Sequence, residues 1–491
     1  MTNARTLLLI ALMVGVAFGG SALVLRLAGL AVPAPDSGFA AYYMRGLAQP
    51  IPVVQFAASW YVLLAVWCTI AIVSAAGLAL AGRSVRSRSD RTTMVIAGFA
   101  CAALALSAFS ILQAFDAYYY VAYGRLYGVF GIDPYALTSA IHVKDATLSQ
   151  LYVVLHNPPF GDPYGPGFTL FAGLLARAES NTDLAFQLWS WRLVGVLSAL
   201  ATIFALRRLL QRVPEEERAR RVAAFAFNPV VLYESAVGAH NDVMMIAPAV
   251  WAFALVDELP LIAGVLIGAS IALKYVAAIA LPFLIIRAGK KNVSGAILLG
   301  CVAVAIPALC AQAFHLGRSA AASDAAIGSS LLMSLNWLLA LPFLRGGLGS
   351  VPIASGVGPL PFVGDVTWPR AIQLALFAVV AITLVISILR YAKRRSVADA
   401  ARPIAALVLA MPALHPWYVI WLAPICAARG AWAVYASWFG SLALLGYAHE
   451  GVVPSPVNEV FFVAAALAMV AGPIAAARWT RPRVADVTAR A

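Results

Sequence analysis

The chain has 491 residues, of which 63% are hydrophobic and only 11% are charged. Soluble domains carry about 25% charged residues, and a soluble fold of this composition would expose large apolar patches. The net charge of +13 would suit nucleic acid, but 24 of the 34 basic residues fall in loops between alternate apolar runs. That arrangement is typical of the cytoplasmic loops of a membrane protein. We therefore predict a polytopic membrane protein with membrane lipid, and no nucleic acid, among its partners.

The apolar runs predict an all-α transmembrane helix bundle of about fourteen crossings, with 12 to 14 allowed because several runs are short. An even number places both termini in the cytoplasm, and the Arg- and Ala-rich composition favours a bacterial plasma membrane. Short pairs such as 259–272 and 275–288 fit either a helical hairpin or one bent helix. The predicted crossings are 7–31, 57–82, 92–114, 186–208, 221–239, 243–257, 259–272, 275–288, 293–314, 369–390, 402–414, 416–428, 430–448 and 458–477.

Three segments follow from this map. Residues 1–92 hold two N-terminal transmembrane helices, 93–320 form a catalytic module with a long outer loop at 116–183, and 321–491 form a C-terminal transmembrane module next to an outer loop at 315–370. Two moderately apolar pieces, 168–178 and 331–344, are too short to span and are predicted to be interfacial helices. The cytoplasmic loops carry no glycine-rich phosphate-binding motif, so we expect the chemistry on the outer face.

The first candidate motif begins the long outer loop at Asp116. On a helix, Asp116, Tyr119, Tyr120 and Tyr123 share one face, and Arg125 follows two residues later. Tyrosine rings stack on sugars, and a carboxylate can accept a hydroxyl proton. The alternative is an interfacial belt of tyrosines with Asp116 as a solvated helix end.

The second motif is the stretch 157–166, which contains four prolines, two glycines and Tyr164. Such a composition forces a rigid, non-helical path. It predicts either the wall of an outer cavity or simply the loop that precedes the next helix.

The third motif runs from Asn228 to Asp242. Pro229 should kink a crossing helix, and His240, Asn241 and Asp242 should form an outer turn, where unpaired burial of polar groups would be costly. The alternative reading is that Asn241 or Asp242 is the N-cap of the next helix.

Two further motifs place polar groups near the predicted outer surface. Lys274 is the only charge in the apolar run 259–286, and an ionisable residue at membrane depth is a functional hypothesis. It could hold a lipid phosphate or snorkel to the headgroups. His415, Trp417 and Tyr418 follow at another outer turn, where a lone histidine is more often structural.

In this order the motifs resemble those of the GT-C glycosyltransferases, and most closely those of the bacterial polyprenyl-phosphomannose-dependent α-1,6-mannosyltransferases. The resemblance covers 116–418, and its most specific part is Gly-Ala-His-Asn-Asp at 238–242. It implies a membrane hexosyltransferase of the cell envelope. Such an enzyme inverts the anomeric centre as it moves a sugar, with mannose expected, from a polyprenyl-phosphate donor to a glycan or glycolipid acceptor on the outer face.

The resemblance also implies roles for individual residues. Asp116 would be the catalytic base, with His240 and Asp242 as further catalytic candidates. The family usually carries this acid after its first helix, whereas Asp116 follows the third predicted one, so Asp36 is the rival. No metal and no cofactor is expected, because a monophosphate donor already leaves well and no clean carboxylate pair is present. The substrate-binding candidates are Tyr119, Tyr120, Tyr123, Arg125, Tyr164, Asn241, Lys274, His415, Trp417 and Tyr418.

Two other classes of membrane protein stay open at this point. A flippase or exporter of lipid-linked glycans should show pseudo-symmetric halves and charges along a central path. A polysaccharide polymerase or ligase with pyrophosphate-linked donors should place arginines in its outer loops. The sequence shows no internal symmetry and few outer arginines, so the glycosyltransferase is preferred.

Overall fold

The computed structural model describes residues 91–109, 115–136, 143–155, 161–314, 366–394, 397–411 and 415–429, with short pieces between 335 and 354. The predicted crossings at 7–31, 57–82, 430–448 and 458–477 lie outside the described residues, as do Asp36 and most of 331–344. The boundaries of the three predicted segments stay predictions.

The described residues are almost entirely helical. One short antiparallel pair, β1 (Pro352–Ala354) with β2 (Val366–Thr367), precedes a long helix. The helices are α1 (Arg91–Phe109), α2 (Phe115–Gly128), α3 (Ala146–Leu155), α4 (Pro166–Ala178), α5 (Leu184–Leu209), α6 (Glu215–Ala226), α7 (Pro229–Ala236), α8 (Asn241–Leu255), α9 (Pro260–Leu273), α10 (Leu281–Gly289), α11 (Val293–Ala311), α12 (Trp368–Arg394), α13 (Val397–Ala410) and α14 (Ala423–Arg429). Short 3₁₀ helices lie at Pro134–Ala136, Tyr275–Ala280 and Pro416–Trp421.

Three of the described helices, α5, α11 and α12, are long and apolar enough to cross a membrane. Four shorter apolar helices accompany them, at Arg91–Leu104, Asn241–Leu255, Pro260–Leu273 and Tyr275–Gly289. Large aliphatic side chains on α11 and α12 are exposed, among them Val304 and Ile382, as expected of surfaces that face lipid. The prediction of a helical membrane protein is confirmed, whereas the number of crossings and their orientation stay predictions.

The predicted crossing 221–239 is wrong as a single kinked helix. α6 ends at Ala226, and α7 begins at Pro229. Asn228 is the N-cap of α7, and its side chain accepts a hydrogen bond from the Val230 N–H. At the first helical position the missing proline N–H costs nothing. Pro229 therefore starts a helix here, and the break aims α7 at the turn that carries His240.

The predicted outer loop 116–183 is largely helical, since it contains α2, α3 and α4. Asp116 lies in the first turn of α2, as the one-face pattern predicted. The piece 168–178 is helical within α4, and 161–165 is irregular, as its prolines and glycines predicted.

Small residues bring α2 directly onto α4. A Cβ at Gly124 would lie 2.6 Å from the Ala172 carbonyl oxygen, and one at Gly128 only 2.0 Å from that of Gly173. Larger side chains at either position would push the helices apart. This contact fixes α2, and with it the location of Asp116.

Candidate active site

The candidate residues meet where several described elements begin or end. The start of α2 meets the turn between α7 and α8 through Asp116 and Tyr120, Lys274 at the end of α9 contacts the start of α8, and the 3₁₀ helix Pro416–Trp421 packs against α7 and α8. All five sequence motifs thus supply side chains to one cluster, with the loop at 161–165 at its edge.

The turn between α7 and α8 is tightly constructed. Ala239 adopts a left-handed φ of 54°, which is unusual for a residue other than glycine. The His240 N–H donates to the Glu234 carbonyl oxygen at 3.0 Å. His240 is the N-cap of α8 without a side-chain capping bond, and Asn241 is its first residue, so the alternative in which Asn241 or Asp242 caps the helix is wrong.

Asp242 and Lys274 form a buried ion pair. The Lys274 ammonium lies 2.7 and 2.9 Å from the two Asp242 carboxylate oxygens, and the Trp421 indole N–H donates to Asp242 Oδ1 at 2.5 Å. α9 ends at Leu273, and Lys274 is extended, with φ −156° and ψ 120°. The break in the helix turns the ammonium inward, which contradicts the alternative of snorkelling to headgroups.

Aromatic rings surround the same ammonium. The Lys274 Nζ lies 5.3 Å from the ring centroid of Tyr418, 5.6 Å from that of Trp421 and 6.0 Å from that of Tyr164. Tyr164 is held there because the Gly165 N–H donates to the Leu273 carbonyl oxygen at 3.1 Å. The proline-rich loop is therefore a wall of the site, tied to the residue before Lys274.

Asp116 is the carboxylate of the cluster that reaches solvent, with 24% of its side chain exposed. Its Oδ2 lies 3.5 Å from His240 Nε2 and 3.5 Å from the Tyr120 hydroxyl. The same hydroxyl accepts a hydrogen bond from the Asn241 N–H at 3.1 Å. Asp116 is thus in contact with buried groups on one side and accessible to solvent on the other.

The His240 imidazole is fully buried and stacks on Trp417, with ring centroids 3.9 Å apart. His415 stacks on the same indole, at 4.3 Å, so the tryptophan lies in contact with both imidazoles. Burial lowers the pKa of His415 to about 4 despite the negative charge of Asp116. His415 is therefore neutral near pH 7.

The tyrosines of α2 are less accessible than a sugar-stacking face requires. Tyr120 and Tyr123 are fully buried, and the ring of Tyr120 packs against Tyr164, Phe168 and Trp191. A surface belt of tyrosines is therefore wrong for these two. Tyr119, half-buried and stacked on Tyr123 at 6.0 Å, keeps its place as a candidate for substrate contact, and the substrate-binding assignments of all three stay predictions.

Arg125 does not join the cluster. It lies nine residues beyond Asp116 on α2, about 13 Å along the helix axis. Its guanidinium pairs with both oxygens of Asp145, at 3.1 and 2.6 Å, and reaches the Ser180 carbonyl oxygen at 3.4 Å. The described contacts make Arg125 a tie between α2 and the start of α3, and give no support to its predicted role in substrate binding.

Two residues of the site were not selected from the sequence. Glu234 is fully buried, with Oε2 2.5 Å from His240 Nδ1, and Trp421 binds Asp242. Glu234 stands in the same motif as His240, six residues earlier, and Trp421 follows Trp417 by one helical turn. An ionisable residue in an apolar run was the available signal for Glu234.

The comparisons with known proteins identify the family of this chain. The family described as "Alpha-(1->6)-mannopyranosyltransferase, N-terminal domain" matches residues 14–290, more than half of the chain. This chain belongs to that family. The predictions of family and of an enzyme, a mannosyltransferase, are confirmed, and the exporter alternative is set aside.

This chain is similar to one characterised relative and, more weakly, to two solved structures. Alpha-(1->6)-mannopyranosyltransferase A of Mycobacterium tuberculosis (strain ATCC 25618 / H37Rv) is 27% identical over 396 residues, which cover 75% of this chain and 72% of that protein. The archaeal oligosaccharyltransferase AglB from Archaeoglobus fulgidus, in complex with an inhibitory peptide and a dolichol-phosphate, matches with 17% identity and a TM-score of 0.37. Its apo form matches with 17% identity and a TM-score of 0.35. Each alignment covers 79% of this chain, which spans about half of the archaeal protein (55% and 56%).

Proposed function

We propose that the protein transfers mannose from a polyprenyl-phosphate donor to a glycan or glycolipid acceptor on the outer face of the membrane, forming an α-1,6 linkage. The observation that carries the proposal is the position of Asp116, a partly exposed carboxylate next to the buried His240 and close to the Asp242–Lys274 pair. The family match supports mannosyl transfer, and the donor, the face and the residue roles are inferred from the site.

Asp116 has the properties of a general base. It is open to solvent on one side, so an acceptor hydroxyl can approach it within hydrogen-bond distance. The hydroxyl oxygen attacks the anomeric carbon as its proton passes to Asp116. The bond from that carbon to the phosphate oxygen breaks, and the polyprenyl monophosphate leaves with the electron pair. Asp242 is less suited to this role, because both its oxygens already bind Lys274.

Two hydrogen-bond donors of the site, Lys274 and Asn241, suit the leaving phosphate. An ammonium has three donors. Two are directed at Asp242, and the third makes only a long contact of 3.5 Å to the Asn241 Oδ1, so a phosphate oxygen can take the place of that weak contact. The Asn241 Nδ2 is buried and has no hydrogen-bond partner among the described residues, which leaves a second donor for the substrate. Donors fixed before the reaction stabilise developing charge without reorganisation.

An apolar cavity below the site supports a lipid-linked donor. Two overlapping, partly open apolar cavities share Val250, Phe253, Ala280, Ile404, Pro424 and Ile425 among their lining residues. The upper cavity, which is the one nearer the Asp242–Lys274 pair, is also lined by Met245, Val276 and Trp421. The lower cavity lies farther from the pair and extends to Arg287 and Tyr391. An isoprenoid chain has the apolar surface that such a cavity buries.

The outer face is inferred from the distribution of charge. Asp116, His240, Asp242 and Lys274 lie at one end of α8 and α9, whereas Arg208, Arg287 and Lys291 lie near Asp257 and Glu258 at the other end of α8. Basic residues concentrate on the cytoplasmic side of membrane proteins. The candidate site is therefore assigned to the opposite side, on which the acceptor must also be present.

The test is transfer by purified Asp116→Asn protein from polyprenyl-phosphate mannose to an α-1,6-linked mannan acceptor. Asparagine has nearly the same size and accepts hydrogen bonds, but it cannot take up the proton. Losing a general base lowers the rate by about 10²–10⁴. The matched control is Asp183→Asn, because Asp183 is an N-cap at the start of α5 and asparagine caps a helix equally well.

Transfer by Asp116→Asn within about tenfold of the parent would remove Asp116 as the base, since that loss is below the usual range. A parent protein that uses a nucleotide sugar, and not the polyprenyl phosphate, would contradict the donor assignment.

A further inference from the structure

The contact between Glu234 and His240 has no role in the mechanism above. Both side chains are fully buried, and Glu234 Oε2 lies 2.5 Å from His240 Nδ1, while His240 Nε2 lies 3.5 Å from Asp116 Oδ2. By distance both contacts are ion pairs, although neither ring nitrogen is aligned for a regular hydrogen bond. One imidazole thus lies between two carboxylates, one buried and one open to the acceptor.

We propose that Glu234 is a positioning residue for mannosyl transfer: its carboxylate holds the His240 ring so that Nε2 faces Asp116 and the departing phosphate. The inference rests on the proposed function and adds a residue that touches neither substrate. Glu234 acts through His240, as a carboxylate that fixes the ring and tautomer of a catalytic or metal-bound histidine does.

The turn is constructed around this contact. A Cβ on Gly238 would lie 2.6 Å from Glu234 Oε2 and 2.7 Å from His240 Nδ1. Only a residue without a side chain leaves room there for the carboxylate and the imidazole to touch. The left-handed Ala239 then reverses the chain, which brings His240 back over the end of α7.

The ring is fixed from its face as well as from its edge. Trp417 stacks on His240 with an interplanar angle of 19°. With Nδ1 held by Glu234 and one face held by the indole, the ring retains little freedom to rotate. Nε2 is thereby kept towards Asp116.

The charges around His240 favour its imidazolium form. Burial alone would lower the pKa of His240, but Glu234 on α7, Asp116 on α2 and Asp242 on α8 outweigh it, and the net pKa is raised above the ordinary value for histidine. Among the described residues, further titratable groups near the ring include Lys274, which is neutralised by Asp242, His415, which is neutral near pH 7, and the Tyr120 hydroxyl beside Asp116.

The imidazolium matters because the donor is an anion. With His240 protonated, the three carboxylates Glu234, Asp116 and Asp242 face two cations, and the cluster carries one net negative charge. With His240 neutral, Lys274 is the one cation facing the three carboxylates, and the cluster carries two net negative charges. Like charges repel more strongly where water is excluded, so the protonated form accepts a phosphate more readily.

The experiment is the pH profile of kcat for Glu234→Gln, with polyprenyl-phosphate mannose as donor. Glutamine keeps the size but removes the charge that supports the imidazolium. We expect kcat to fall about 10–100-fold, as for other residues that orient a histidine, with the donor KM little changed. The alkaline limb, where His240 loses its proton, should move to lower pH. Glu179→Gln, which removes a buried carboxylate at the end of α4, should leave the limb in place.

Two further variants keep the test decisive if Glu234→Gln does not fold. Glu234→Asp retains the charge, so its alkaline limb should stay near that of the parent. Gly238→Ala inserts a methyl group between the partners and should move the limb as Gln does. A limb that stays in place in Glu234→Gln or Gly238→Ala, or an unchanged kcat in Glu234→Gln, overturns the inference. Failure of the proposed function would instead appear as a parent protein that does not transfer mannose from this donor.

Discussion

The two ends of α8 carry the same kind of ion pair in different surroundings. In its first turn, Asp242 is fully buried and binds Lys274, which is 19% exposed. Just beyond its last turn, Asp257 binds Arg287, and these side chains are 31% and 27% exposed. The first pair lies among aromatic rings, and the second lies beside further basic residues.

This difference in exposure indicates that stability alone does not explain the buried pair. A partly exposed ion pair is worth about 1 kcal/mol or less. A buried pair repays its desolvation poorly, and apolar residues of similar volume often serve stability as well or better. The Asp242–Lys274 pair is therefore better explained by the chemistry of the site than by stability, although removing one partner alone would be costly.

The largest expected effect breaks the buried pair. Lys274→Met leaves the Asp242 charge without a cation, and removing one partner of a buried pair costs roughly 3–5 kcal/mol. Arg287→Met at the other end should cost about 1 kcal/mol or less. Unfolding of both variants in the same detergent measures the difference. Equal loss of stability in the two variants would contradict the contrast drawn between the pairs.

The double variant Asp242→Asn/Lys274→Met separates stability from function at this pair. With both charges removed, much of the lost stability should return, because no uncompensated charge remains. Mannosyl transfer should stay low, since the donor phosphate has lost its ammonium. Recovery of activity together with stability would show that the pair serves the fold.

A second, smaller effect concerns the hydroxyl that links the two sides of the site. Tyr120→Phe removes the acceptor of the Asn241 N–H and the donor to Asp116. An unsatisfied buried N–H costs about 1–3 kcal/mol, and Asp116 should become less well fixed. Tyr127→Phe is the control on the same helix, because its ring contact with Phe314 survives the change. Matching unfolding curves for the two variants would mean that the Tyr120 bond contributes nothing.

The sequence predicted those residues of the site that stand out among their neighbours in the chain, and missed contacts between residues that are distant in sequence. Lys274 and Asp116 stood out locally, as a charge in an apolar run and as an acid on an aromatic face. Contacts across the chain could not be predicted from spacing: Trp421 lies 179 residues from Asp242. Membership of a local motif was also misleading for Arg125, which binds Asp145 and not the site.

The backbone was anticipated unevenly for a similar reason. Hydropathy located the long helices, because lipid-length apolar runs are a strong signal. It could not separate α6 from α7, since Asn228-Pro229 ends one helix and starts another inside a single apolar run. A proline in such a run fits both a kink and a new helix, and only the cap formed by Asn228 decides between them.

A third prediction concerns the cavity between the two ends of α8. Ala249 lines its upper part, and Ala249→Trp would fill space proposed for the isoprenoid chain. We expect the donor KM to rise about tenfold, equivalent to about 1.4 kcal/mol, while a short-chain donor is affected less. Val304→Trp, on an exposed face of α11, is the control. An equal rise for long and short donors would place the lipid elsewhere.

The smallest expected effect concerns Asp162, a buried carboxyl that pairs with no cation among the described residues. Its oxygens accept hydrogen bonds from the Thr169 hydroxyl at 2.6 Å and the Tyr164 N–H at 2.8 Å, yet burial raises its pKa to about 7. Asp242 is balanced by Lys274, whereas Asp162, without such a partner among the described residues, keeps its proton up to about pH 7.

The sign of the resulting pH dependence follows from proton binding. Between about pH 4 and pH 7 the folded protein holds a proton on Asp162 that the unfolded chain has released, so this residue's contribution to stability falls as pH rises through that window. Asp162→Asn is neutral at every pH and still accepts from the Tyr164 N–H, so that part of the fall should disappear. Thermal unfolding across the window measures it, with Asp183→Asn, an exposed cap, as the control that keeps the parent's slope. A slope in Asp162→Asn as steep as the parent's would mean that proton binding by Asp162 does not contribute to the pH dependence of stability in this window.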